Sequence, residues 1–364
     1  MSRPRIPLAF GGGIDRAAGP LVVEATSFKD QRNVKLSEGW MSVRNGLAIQ
    51  LTAADFVAAD AVVGAAVTHV IGIEALRSQG VNIVITFDSV AGQCAAWILA
   101  GTLTTLTLVG TFWTGIVAPA LVPPLVFMAD SYDKMFVAHD EPLFAQRQKT
   151  QVVNITAMTV TVLNGGVALG DFYFRGVRRH LNYLFGWGHG TAGEPDHPEI
   201  VRNSIAADPL TWDPDHYFVA GQRGDPVLSC DVAGDVLVAR KQTASYDIVG
   251  YGPENFGIRP GDINFGIAGS HLSVTVGKVN YHWSLEGPRA SGGPGESVDL
   301  ALLLGLAGPP PDPRTANLDF DRGFAVYQPI TREVRFVFGS WAYVLHLFDP
   351  QRKRWSFADY GVDL

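Results

Sequence analysis

Charge is scarce in this chain. Asp, Glu, Lys and Arg together make up 17% of its 364 residues, against about 25% in an ordinary globular protein. Hydrophobic residues make up 47%. That balance excludes intrinsic disorder, which needs dense charge and few apolar side chains. An excess of positive charge is also missing: the net charge is −7. A protein built mainly to grip nucleic acid phosphates would carry the opposite sign. Only two cysteines are present, Cys94 and Cys230. They are too few for a disulfide framework or a thiolate zinc site, so each reads as a small buried residue. The start, Met1 to Pro7, does not read as a secretory signal, because Gly11 to Gly13 and Asp15 interrupt any apolar stretch.

The longest run without charge lies between Asp88 and Asp130. Its length suits a membrane span, but its composition does not. Gly101, Gly110, Gly115, Pro119, Pro123 and Pro124 punctuate it, and threonine alternates with leucine from Thr102 to Leu108. Paired prolines break helices, and alternation favours strands. The segment is expected to form buried strands, and no membrane contact is expected.

What the chain does have is turn chemistry and strand pattern. Its 40 glycines and 22 prolines imply many turns and few long helices. Val81–Phe87 and Asp235–Arg240 read as strands. Leu125–Ala129 and Met135–Ala138 flank the polar turn Asp130–Lys134 and predict a hairpin. Val279–Glu286 alternates strictly, apolar at odd and polar at even positions, which predicts a sheet with one solvated face. Further strands are expected at Glu333–Phe338 and Tyr343–Phe348. Ala53–Ala65 and Leu300–Leu306 are the few stretches with helical composition. The fold class is all-β.

A phrase of apolar run, turn and aromatic recurs around Ile85–Trp97, Phe127–Phe144, Leu237–Tyr251, Leu272–Trp283 and Val344–Trp355. Periods of about 40–50 residues are those of β-propellers, and the length beyond the arm then gives about six blades. Residues 1–45 read as an irregular N-terminal arm and residues 46–364 as a propeller-like domain. Phe10, Phe28 and Trp40 are the arm's expected apolar anchors, while Arg3, Arg5, Arg16, Arg32 and Arg44 could pair with acids on a neighbour.

No constellation carries obvious chemistry. Gly186–His197 holds two histidines and two acids, but at no metal-ligand spacing, and reads as a flexible polar loop. His216 and His271 stand alone. Gly11–Gly13 lacks the Gly-Lys-Ser/Thr ending of a phosphate loop, and there is no Gly-x-Ser-x-Gly elbow. Asp130, Asp133, Asp140 and Glu141 fall in a predicted turn and the following loop, where acids are solvated. Asp312, Asp319, Asp321 and Arg322 make only a weak approach to a calcium loop. Arg178–His180 and Arg352–Arg354 read as surface clusters. No catalytic, metal or cofactor-binding residue is expected, and no enzyme.

The opening carries a likeness. Leu8–Arg16, then Phe28–Val34, then Gly39–Leu47 give a glycine-rich start, an Asn-Val and an Arg-x-Gly. This resembles the start of bacteriophage tail and neck proteins of the β-propeller type. Val201–Ser204, Asp208–Trp212, Phe218–Gly221, Gly224–Val227, Phe324–Tyr327 and Lys353–Ser356 are similar to their middle and close. The resemblance implies a nozzle-like structural protein of a short-tailed phage virion, assembled in the host cytoplasm. Its partners would be copies of itself in a hexameric ring, the portal or adaptor above, and other tail proteins. Double-stranded DNA would pass through without tight binding, which a net negative subunit favours. Two alternatives come from other classes. A receptor- or carbohydrate-binding tip would expose aromatics such as Trp187 and Trp212. A glycan-cleaving propeller would need two converging acids, and no tight Asp/Glu pair on adjacent strands is visible.

Overall fold

The computed structural model of the protein describes residues 69–88, 91–99, 106–116, 123–191, 194–252, 255–295, 297–300, 320–329, 331–338, 341–347 and 354–359. The arm residues Arg3, Arg5, Phe10, Arg16, Phe28, Arg32, Trp40 and Arg44 lie outside these, as do Ala53–Ala65, Asp312, Asp319, Arg352 and Lys353.

Alternating apolar residues and regularly spaced turns fold the described residues into six four-stranded antiparallel sheets. The first sheet holds β1 (His69–Leu76), β2 (Val81–Asp88), β3 (Gln93–Leu99) and β4 (Leu106–Phe112). In the second are β5 (Val126–Ser131), β6 (Lys134–His139), β7 (Gln151–Asn154) and β8 (Thr159–Val162). The third holds β9 (Gly176–His180), β10 (Tyr183–Thr191), β11 (Glu194–Ile205) and β12 (Asp208–Val219). The fourth is β13 (Ser229–Ala233), β14 (Val236–Arg240), β15 (Ser245–Val249) and β16 (Gly257–Pro260). The fifth is β17 (Ser273–Val276), β18 (Val279–Ser284), β19 (Gly287–Ser291) and β20 (Val298–Asp299). The sixth is β21 (Phe324–Gln328), β22 (Glu333–Phe338), β23 (Trp341–His346) and β24 (Arg354–Asp359).

Within every sheet the strands follow sequence order. First strands begin at residues 69, 126, 176, 229, 273 and 324, a spacing of 44 to 57. Each first strand touches the first strand of the next sheet, from β1 through β21. Sequential meanders laid first strand to first strand make the fold propeller-like, as the all-β reading predicts. Among the described residues the one helical element is a single 3-10 turn, Phe144–Gln146, and no helix is long and apolar enough to cross a membrane.

Two-residue turns join the first and second strands of the middle sheets. Their first residue is left-handed: Tyr132 (φ 55), Leu181 (φ 54), Gly234 (φ 61) and Gly277 (φ 62). Glycine adopts that conformation freely, whereas Tyr and Leu do so against steric strain.

Apolar faces of neighbouring sheets pack against each other. Ile83, Ile85 and Phe87 meet Val126, Met128 and Val137 between sheets one and two. Phe136 and Ala138 meet Phe172, Phe174 and Leu184 between sheets two and three. Trp187 and Phe185 join Cys230, Leu237 and Ile248 between sheets three and four. Trp283 and Tyr281 join Phe336, Tyr343 and Trp355 between sheets five and six. Buried indole N–H groups find acceptors: Trp97 Nε1 donates to Thr86 Oγ1 at 2.8 Å, and Trp187 Nε1 donates to the Leu228 carbonyl at 3.3 Å.

Several expectations hold. The described part of the uncharged run supplies β3, β4 and the start of β5, although β4 is buried only at Val109 and Phe112, and both cysteines are buried and free. Others are corrected. Gly186–His197 is not a loop for most of its length: it forms β10 and β11, with Thr191 paired to Glu194. Trp187 and Trp212 are buried rather than displayed, because each packs its ring into an intersheet cluster. The even positions of β18, Asn280, His282 and Ser284, are not solvated but fully buried: Arg240 of sheet four meets Asn280 and His282, and Ser284 donates to the Gly287 carbonyl at 2.8 Å in its own hairpin.

Candidate functional site

Residues at the starts of the first strands of the second, third and fifth sheets converge on Asp140. This residue directly follows β6, and its backbone N–H donates to the Leu125 carbonyl at 3.0 Å. Arg175, just before β9, brings Nε and Nη2 to Asp140 Oδ1 at 3.0 and 2.7 Å. Ser270, just before β17, donates its hydroxyl to Oδ2. His271 Nε2 lies 3.4 Å from the same oxygen, and its ring stacks on Phe127 of β5 at 4.2 Å. Side chains of the second, third and fifth sheets therefore meet around one buried carboxylate. The sequence reading placed Asp140 in solvent. The structure buries it with side-chain exposure of 3%, since the chain after β6 turns inward rather than out.

Burial by itself raises the Asp140 carboxyl. The Arg175 charge, with the His271 and Ser270 contacts, outweighs it and holds the group well below the usual carboxylate range. A carboxylate occupied on both oxygens by an arginine, a hydroxyl and an imidazole has little capacity left to take a proton from a substrate. Ser270 is not a nucleophile of the triad kind either, because its hydroxyl is spent on the acid rather than on a histidine. The arrangement acts as a clamp. Arg147 extends it: its guanidinium donates to the Gly188 carbonyl at 2.6 Å and to Asp196 Oδ1 at 3.2 Å. His139 sits beside it, with Nδ1 accepting the Gln148 N–H at 3.2 Å. Burial lowers the His139 pKa to about 4, so the ring is neutral near pH 7.

A second buried polar set lies between sheets four and five. Arg240, at the end of β14, is fully enclosed. Its Nη2 donates to Asn280 Oδ1 at 2.9 Å and to Ser291 Oγ at 3.3 Å, and Nη1 stands 3.4 Å from His282 Nε2. Asp231 of β13 accepts from Arg178 Nη2 at 3.1 Å, Ser229 Oγ at 2.9 Å and Ser273 Oγ at 2.7 Å. Thus Arg178, read from sequence as a surface cation, ties β9 to β13 because the Asp231 it meets is buried. Farther along, Asp262 Oδ2 accepts the Ser297 N–H at 2.9 Å, and Asp247 Oδ2 accepts the Gly295 N–H at 2.8 Å. Burial pushes the Asp247 carboxyl up. It also holds His282 far below its ordinary value, helped by the Arg240 and Arg289 charges. Acids and arginines balance along this seam, as buried charge requires.

Sequence reasoning missed both sets. An arginine closing the apolar strand Val236–Arg240, beside a strand with polar residues on one whole face, was the available signal. His189, in the stretch weighed as a metal loop, is buried near Phe172 and Phe174; burial first, then nearby cations, lowers its pKa to about 3. Among the described residues no cluster of three or more His, Cys, Asp or Glu is placed to hold a metal. His216 lies 3.9 Å from Asp213 on β12 and touches neither buried set.

No family model matches the chain, and no curated protein does. Solved structures align to it at low identity. The extracellular domain of a candidate hybrid two component system from B. thetaiotaomicron aligns at 10% identity and a TM-score of 0.40, over 74% of this chain. The chain spans only 31% of that protein. A candidate 6-phosphogluconolactonase from Bacteroides fragilis aligns at 10% identity and a TM-score of 0.44, over 79% of this chain and 92% of its own. The C-terminal WD40 domain of Sif2 aligns at 10% identity and a TM-score of 0.34, over 73% of this chain and 78% of its own.

Proposed function

We propose that the chain is a non-catalytic structural subunit, a closed six-bladed β-propeller that assembles with copies of itself into a ring of a bacteriophage tail or neck. The observation that carries the structural half is the Asp140 clamp. Sheets two and five are far apart in sequence, yet His271 stacks on Phe127 and shares Asp140 with Arg175. A ring of six sheets brings such sheets face to face across its axis, and the clamp fixes them there. The acid at this end is committed to holding the fold.

The phage setting rests on the likeness of Leu8–Arg16, Phe28–Val34 and Gly39–Leu47 to the opening of tail nozzle proteins. In this reading residues 1–45 staple neighbouring subunits, through Arg3, Arg5, Phe10, Arg16, Phe28, Arg32, Trp40 and Arg44. Six subunits form the ring, next to the portal or adaptor, and double-stranded DNA passes without adhesion because the subunit is net negative. The test is the solution mass of the purified protein, with and without residues 1–45, alone and mixed with portal and adaptor proteins. Rings that need the arm or those partners support the reading. A monomer in every mixture refutes it.

A further inference from the structure

At the opposite end from the clamp, the tips of sheets four and five enclose a cleft of about 400 Å³. We propose that this cleft binds a neutral saccharide. Its apolar lining comes from sheet four, where the largely buried Val236 and the half-buried Val249 border it. Its rim carries Tyr251, which is 79% exposed, and the facing pair Asp235 and Lys278, 3.6 Å apart and open to solvent. The walls are largely backbone, because Gly234, Gly250, Gly292 and Gly293 line it. The frame is built rather than loose. The Gly234 N–H donates to the Lys278 carbonyl at 2.7 Å and ties the two hairpin tips together. A Cβ at Gly234 would stand 2.9 Å from the Gly292 carbonyl oxygen, so only glycine allows this approach.

The ligand class follows from the lining. One acid and one base cancel, so nothing favours a strongly charged ligand of either sign. A carboxylate that accepts and an ammonium that donates suit vicinal hydroxyls. An exposed aromatic ring offers a flat apolar face to the C–H side of a sugar ring, and the edges of the lining valines take the remaining apolar edge. Glycine walls let a flat ring come close to backbone amides and carbonyls. This inference is independent of the ring-assembly reading and survives its failure.

The experiment is ligand-observed saturation-transfer NMR followed by calorimetry on the full chain. The probes are maltotriose, cellotriose and triacetylchitotriose, with sialyllactose and a neutral extended tripeptide as contrasts. At least one neutral trisaccharide is expected to bind in the micromolar to millimolar range, roughly 4–8 kcal/mol of binding free energy. Tyr251→Ala should weaken it by about tenfold, the worth of one aromatic contact. Gly293→Tyr should abolish it, since a side chain there meets open space and would fill the cleft without disturbing the fold. Unchanged melting of both variants separates blocked binding from unfolding. No binding of any neutral trisaccharide, preference for the peptide or sialyllactose, or binding untouched by both variants would each overturn the proposal.

Discussion

Removing the charge of Asp140 while keeping its shape is the sharpest test of the clamp. Asp140→Asn creates no cavity, so packing is constant. It leaves the Arg175 guanidinium, with side-chain exposure of 6%, facing a neutral amide. Breaking a buried pair by removing one partner costs about 3–5 kcal/mol, because the remaining charge is stranded away from water. That is a large share of a typical domain stability of about 5–15 kcal/mol. Arg175→Met should cost a similar amount. The double variant should cost well under the sum, since neither charge is then left alone, giving a coupling of about 2 kcal/mol or more. Urea unfolding at pH 7, followed by tryptophan fluorescence, reads all three. The same clamp has a pH signature. Its folded-state pKa is depressed, so its stabilisation is full above the unfolded value of about 3.9 and is lost only as pH falls through the folded value. A loss below about 1 kcal/mol in Asp140→Asn, or additive single variants, would refute the clamp and with it the structural half of the proposed function.

Buried neutral histidines should make the protein acid-sensitive before its carboxylates titrate. His139 and His189 have folded pKa values of about 4 and about 3, so their stabilisation is full above the unfolded value of about 6.5 and fades as pH drops below it. At pH 5 each should have lost about 2 kcal/mol, and His139→Gln should flatten the fall of Tm between pH 7.5 and 5. Gly176 packs against the indole of Trp187; Gly176→Ala should destabilise by about 1–3 kcal/mol through overpacking, read as a lower urea midpoint at unchanged slope. In the opposite direction, Leu181 holds a left-handed backbone at φ 54, and Leu181→Gly should raise stability by about 0.5–1 kcal/mol in the same assay.

The architecture was legible wherever burial follows apolar pattern. Within the uncharged run from Ser89 to Ala129, the described residues Gln93–Leu99, Leu106–Phe112 and Val126–Ala129 form strands as read, because β-branched and alternating residues outweigh mean hydropathy. The repeating phrase gave a spacing close to that of the sheets. Polarity was misread wherever a polar residue is buried against another polar residue. Asn280, His282 and Ser284 have the alternation of a solvated face, and alternation says only that two faces differ, not which one meets water. Asp140 looked like any loop acid, because its partners Arg175, Ser270 and His271 are supplied by distant parts of the chain. Trp187 and Trp212 lay among glycines and prolines that suggest loops. Their strands are long and broken by register shifts at Trp187–His189 and Arg202–Ser204, which local pattern does not announce.

The polar seam between sheets four and five also bears on the order in which the molecule comes together. Apolar clusters fuse sheets one to four into one block and sheets five and six into another. The two blocks meet through Arg240, Asn280 and His282 on one side and through Asp140, Ser270 and His271 on the other, with Leu228 and Phe127 as apolar touches. Hydrophobic collapse is forgiving of geometry, whereas a buried ionic network gains only when every donor finds its acceptor. The amino-terminal block, made first on the ribosome, can therefore condense early and wait, and the carboxy-terminal pair then docks as a late, orientation-critical step. Native-state hydrogen exchange would show that division as two cooperative opening units whose boundary falls between β16 and β17.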